Sequence, residues 1–100
     1  MDIMIYVKIH RATGDTILAA CDEEVLGNTY RGDDVKITVS ETFYNGRLVS
    51  EEEFIDHMED VTIMNLVGER AVSIAIEKGH VSEDCILDIG GVKHAQVVKI

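Results

Sequence analysis

The segment Cys85-Ile86-Leu87-Asp88-Ile89-Gly90-Gly91-Val92-Lys93-His94-Ala95-Gln96-Val97-Val98-Lys99-Ile100 is two runs of strand-forming residues joined by paired glycines. Gly-Gly suits the positive φ angles of a type I′ turn, whose twist matches that of the strands it connects. A β-hairpin pairing residues 85–89 with 92–100 follows. In that register Ile89 faces Val92, Leu87 faces His94 and Cys85 faces Gln96, while Asp88 and Lys93 make an exposed cross-strand ion pair of small value. Val92, His94, Gln96, Val98 and Ile100 share one face, mainly apolar, and that face is expected to lie under helices. His94 and Gln96 interrupt it, and a buried imidazole or amide must find hydrogen-bond partners.

Outward from the hairpin, the rest of the chain supplies the other layers. Ile3, Ile5, Val7 and Ile9 alternate with Met4, Tyr6, Lys8 and His10, the period of a half-buried strand with its apolar set on the core. A turn at 11–15 and a returning strand at 16–21 complete a hairpin. Asp22, followed by Glu23 and Glu24, reads as the N-cap of a short helix reaching about residue 30 and stopping at Gly32. Residues 35–39 alternate as a further strand, and Ser40 starts a turn through Phe43-Tyr44-Asn45-Gly46. Ser50-Glu51-Glu52-Glu53 is a capping box opening a helix to about residue 59. Residues 61–78 read as a second helix with Ile63, Val67, Ala71 and Ile74 on one face, Gly79 as its end and Gly68 as a costly interior residue or a break. The expectation is one α+β domain over 1–100: a mainly antiparallel sheet of about five strands, with the two main helices on one face.

Composition limits what such a domain does. With 46% hydrophobic and 28% charged residues, the 100-residue chain has one ordinary core. Folding at this length buries roughly two-thirds of the chain's surface, which leaves little room for an enclosed cofactor chamber. There are 19 Asp and Glu against 9 Lys and Arg, a net charge of −10. That charge repels phosphate backbones and anionic lipid, so generic nucleic-acid binding and membrane attachment are disfavoured; a local RNA or protein contact through Lys8, Arg11 and Arg70 stays open. The bland reading of the acidity is solubility or a salty cytoplasm. No leader-like or long apolar segment is seen, so a cytoplasmic location is expected. Cys21 and Cys85 form no C-x-x-C pair and read as reduced thiols, not as a zinc ribbon or a disulfide framework.

No phosphate-binding loop, dinucleotide fingerprint, nucleophile elbow or H-E-x-x-H motif occurs, and neither a cofactor nor a metal is expected. The four histidines lack the spacing of a metal pair, so any zinc site would have to be assembled by the fold from Cys21, Cys85 and His94. Cys21 precedes a helix start that would lower a thiol pKa, yet Glu23 and Glu24 oppose this; the plainer reading is a small core residue. Asn65, Glu69 and Ser73 form an i, i+4 stripe able to partner His94 and Gln96, or a solvated helix face.

Lys8-Ile9-His10-Arg11, Ala20-Cys21-Asp22, Phe43-Tyr44-Asn45-Gly46, Asn65-Leu66-Val67-Gly68-Glu69-Arg70-Ala71-Val72 and Gly90-Gly91-Val92-Lys93-His94-Ala95-Gln96 resemble a small archaeal protein family catalogued as domain of unknown function 424. The resemblance spans nearly the whole chain. It implies an archaeal cytoplasmic origin and carries no activity, substrate or catalytic residue. The polar residues of these segments, His10, Arg11, Cys21, Asn65, Glu69, Arg70, His94 and Gln96, are expected to gather in one pocket. The functional expectation is a non-catalytic binding or adaptor protein with a protein or ribonucleoprotein partner. The alternative is a small enzyme using Cys21 with a His/Glu pair, such as His94 or His10 with Glu69.

Overall fold

The computed structural model describes residues 3–99. Its elements are β1 (Met4–Ala12), β2 (Asp15–Asp22), β3 (Thr29–Arg31), β4 (Lys36–Thr38), α1 (Glu41–Tyr44), β5 (Arg47–Ser50), α2 (Glu51–Asp60), β6 (Ile63–Val67), α3 (Glu69–Glu77), β7 (Leu87–Ile89) and β8 (Val92–Val98). Six strands form one sheet in the order β5-β1-β2-β6-β8-β7, and β3 with β4 forms a separate antiparallel ribbon. All pairings in the sheet are antiparallel except β2 with β6. The architecture is the expected α+β, with one strand more than anticipated and a mixed sheet.

The period-2 alternation sends successive side chains to opposite faces, and each face has its own core. On one side Ile5, Val7, Leu18, Ala20, Met64, Leu66 and Ala95 pack under Phe54 and Met58 of α2 and Ala71, Val72, Ile74 and Ala75 of α3. On the other side Ala19, Cys21, Val67 and Val92 pack under Val25, Val39 and Tyr44, with Tyr30 and Ile37 of the ribbon and Phe43 of α1 at the margin. Ile5 and Val7 of β1 are buried as expected, whereas Ile3 precedes the strand and is 37% exposed.

The expected helix over 61–78 is instead a strand and a helix. Met64 and Leu66 bury into the first core and Val67 into the second, so Ile63–Val67 is a central strand; its apolar residues are interrupted only by Asn65, and the four-residue spacing of Ile63 and Val67 puts them on one face of a strand as it would of a helix. Gly68 then adopts φ 114°, outside any helix, and α3 begins at the next residue. Asn65 and Glu69 are therefore not one helical turn apart. The expected helix after Asp22 shrinks to a single 3-10 turn, Glu23–Val25, because Gly27 at φ 86° turns the chain into β3. The strand expected at 35–39 is β4, outside the main sheet, and β5 is a short edge strand that the turn reading did not anticipate.

Capping is as expected at two sites: Ser50 Oγ accepts the Glu53 N–H at the start of α2, and Ser40 Oγ accepts that of Phe43 at the start of α1. Gly79, at φ 80°, follows the end of α3. The Gly90-Gly91 hairpin forms with Ile89 opposite Val92, Asp88 opposite Lys93 and Leu87 opposite His94. Gly90 sits where an added Cβ would lie 2.6 Å from the Arg31 carbonyl oxygen, so the turn packs against the ribbon. Cys85 does not oppose Gln96; it closes a 3-10 turn, its N–H bonded to Ser82 O. The expected place of Ile100 on the face of Val92 and His94 lies outside the described residues.

His94 projects to the face opposite α2 and α3, contrary to expectation. β8 is apolar on both sides: Ala95 and Val97 meet the helices, while Val92 meets the ribbon-side core. The expectation rested on Val92, Val98 and Ile100 sharing the His94 side and left the equally apolar Ala95 and Val97 side out of account.

Candidate functional site

The ribbon and α1 cover only part of the second sheet face. Strand pairing fixes its rows: Tyr6, Cys21, Val67, His94 and Leu87 form one, Lys8, Ala19, Asn65 and Gln96 the next, and His10, Ile17, Ile63 and Val98 the last. The last row is bare. Val98 is 61% exposed, and Ile17 and Ile63 are half-buried and belong to neither core.

Polar side chains frame this row. The His94 Nε2–H donates to Asn65 Oδ1 at 3.1 Å, which leaves Nδ1 unprotonated; that atom is buried and has no partner among the described residues. Burial pushes the His94 imidazole below its ordinary value of 6.5. The unfolded chain therefore takes up this proton first. Stability contributed by neutral His94 is present above about pH 6.5 and falls as the pH drops through the lowered native value. His94→Gln should flatten the decline in urea midpoint between neutral and mildly acidic pH; an unchanged slope would contradict the assignment. At the far end of the face, His10 Nε2–H donates to Phe43 O at 2.8 Å and its ring stacks on Phe43, centroids 4.5 Å apart. Lys8 Nζ reaches Thr42 O at 2.7 Å, so β1 holds α1 by two side chains.

The eight residues expected in one pocket divide. His10, Asn65, His94 and Gln96 share this face. Cys21 lies on it too, but wholly buried, its thiol pushed up to about 12 first by burial and then by Asp22 and Glu24. Arg11 points to the opposite face by alternation. Glu69 and Arg70 open α3 at another corner, where Glu69 pairs with Lys93 at 3.4 Å and Arg70 with Glu24. Hydrogen bonding thus joins His94 to Asn65 but not to Glu69.

That corner is organised by Asp22, 1% exposed, whose two carboxylate oxygens accept the N–H groups of Arg70 and Ala71 at 2.9 and 2.8 Å. Asp22 caps α3, not the turn that follows it in sequence. Burial raises its pKa, against the pull of those two N–H groups and of the Arg70 charge. A cleft of about 190 Å³ opens there between Asp22, Glu24, Tyr30, Glu69, Val92 and Lys93, with Glu24 and Glu69 paired as above. Among the described residues no three His, Cys, Asp or Glu side chains are grouped to hold a metal, and Cys21, Cys85 and His94 do not converge.

Sequence reading missed Ile17, Ile63 and Phe43 as parts of this surface, and it set Val98 beside His94 and Gln96 but under the helices. Hairpin register could have placed Ile17 opposite His10, whereas Ile63 needed the parallel pairing of β2 with β6. Among the described residues no helix is long and apolar enough to cross a membrane.

No curated protein matches the chain. It is similar to a solved structure of an uncharacterised conserved protein from Methanopyrus kandleri, with 29% identity and a TM-score of 0.75 over 97% of this chain and 94% of that one. The family model described as protein of unknown function (DUF424) matches residues 10–100, and the chain belongs to that family.

Proposed function

We propose that the chain is a non-catalytic binding or adaptor protein whose partner, a protein or a ribonucleoprotein, docks on the bare end of the sheet. The supporting observation is the row Ile17, Ile63 and Val98, apolar side chains left outside both cores and framed by His10, Asn65, His94 and Gln96. Apolar surface rimmed by polar groups gains by burial against a partner. The thiol-enzyme alternative is weaker: a buried thiol raised to about 12 is a poor nucleophile, and Glu69 is engaged with Lys93 away from His94.

The test is affinity purification from native extract. A stable stoichiometric partner should be recovered with the wild type and lost with Val98→Asp, an exposed position whose change spares both cores. Equal recovery with the variant would defeat the reading, and a copurifying metabolite would favour the enzyme.

Generic RNA or DNA is expected to bind weakly at moderate salt, because nonspecific affinity depends on neutralising phosphates and this chain carries −10. Filter binding checks this; submicromolar affinity for unrelated sequences at physiological salt would contradict it.

A further inference from the structure

The backbone of β8 bears on how a partner engages this end of the sheet. Lys93 O accepts the Gly68 N–H and the Lys99 N–H donates to Thr62 O, each at 2.8 Å, so the odd-numbered residues of β8 bond toward β6. By alternation Gln96 and Val98 direct their N–H and C=O groups to the other side. There β7 reaches only as far as Leu87, opposite His94. Cys85, the residue that would continue the ladder opposite Gln96, bonds Ser82 instead. The edge from Gln96 to Val98 therefore has no neighbouring strand among the described residues.

Exposed edges are usually guarded by charge, proline or a bulge. β1 also outruns its edge partner β5, which pairs only Met4–Val7, but Lys8 and Arg11 stand on that free stretch. From His94 to Val98 there is no charged side chain apart from the imidazole, which burial keeps neutral, and no proline. The unguarded edge also borders the bare row of Ile63 and Val98.

We infer that the edge of β8 at Gln96 and Val98 receives an extended segment of another protein as an added strand, a reading that rests on the docking function proposed above. Free backbone donors and acceptors in strand geometry are complemented by another strand, and side chains on the ribbon side of that strand extend the apolar row beside Val98. The segment is flanked by Lys or Arg. The chain carries −10, and Glu83 and Asp84 are exposed in the turn where the chain leaves the edge. The same charge opposes a second copy of this chain as the occupant.

The probe is a library of synthetic peptides alternating β-branched and polar residues between lysine flanks, titrated into the full chain and followed by backbone NMR. Bound members should shift and protect the amides of Gln96 and Val98. N-methylating alternate peptide bonds of the ligand, or replacing its lysines by glutamates, should weaken binding by about tenfold or more. Val98→Pro, which removes only the outward N–H, should abolish binding while the remaining amide spectrum stays native. No bound member, or binding indifferent to N-methylation, overturns the inference. Dimerisation that Val98→Pro removes would overturn it in favour of a second copy. A native partner lost with Val98→Asp but kept with Val98→Pro would refute strand addition and leave the docking reading standing.

Discussion

Gly68→Ala should destabilise the fold by about 3 kcal/mol or more, among the largest losses of any single methyl addition to this chain. Two independent causes converge. At φ 114° an L side chain is strained, and the added Cβ would lie 2.4 Å from Asp22 Cγ and 2.7 Å from both carboxylate oxygens. Asp22 cannot yield, because those oxygens hold the first N–H groups of α3. Asp22→Ala alone should cost about 2–4 kcal/mol, from two lost charge-assisted hydrogen bonds and the uncapped Ala71 N–H. In that background Gly68→Ala meets no carboxylate and keeps only its backbone strain, so the two losses should be clearly less than additive. Urea denaturation of the two single variants and the double variant measures this. Additive losses would mean that Asp22 and Gly68 do not form one joint between β2 and α3.

The two cysteines should differ in thiol reactivity by a thousandfold or more. Cys85 is exposed, while Cys21 is buried beneath the ribbon and its thiol is pushed up from 9.0 to about 12, which alone lowers its thiolate about a thousandfold. Under native conditions a thiol reagent should modify one group per chain, at Cys85, and in denaturant two. Rapid native labelling of Cys21 would reopen the thiol-enzyme alternative.

How far the sequence speaks depends on whether a signal is local. Gly90-Gly91 fixes the hairpin and the Leu87 to His94 register because a two-residue turn permits little else, and the Ser50 capping box fixes the start of α2 within four residues. Ile63–Val67 misleads for the opposite reason. Four of its five residues are apolar, so the alternation of a half-buried strand is masked, and its neighbours are β2, far earlier in the chain, and β8. The wrong face for His94 has the same root, since which layer covers a strand is decided by elements distant in sequence. Asp22 carries a genuine capping signal, but the helix it caps begins at Glu69. The site reading inherits these limits: His10, Asn65, His94 and Gln96 come together because strand pairing aligns them, while Glu69 and Arg70 leave with α3 once Gly68 is recognised as a break.

The docking surface is tested most directly by amide hydrogen exchange on the chain purified from its native source, compared before and after bound material is stripped away. Docking predicts that the partner slows exchange at the bare end of the sheet, at Gln96 and Val98 above all, and leaves the Asp22 corner unchanged. Protection centred on Glu24, Glu69 and Lys93, with Gln96 and Val98 exchanging as fast as in the free chain, would contradict it.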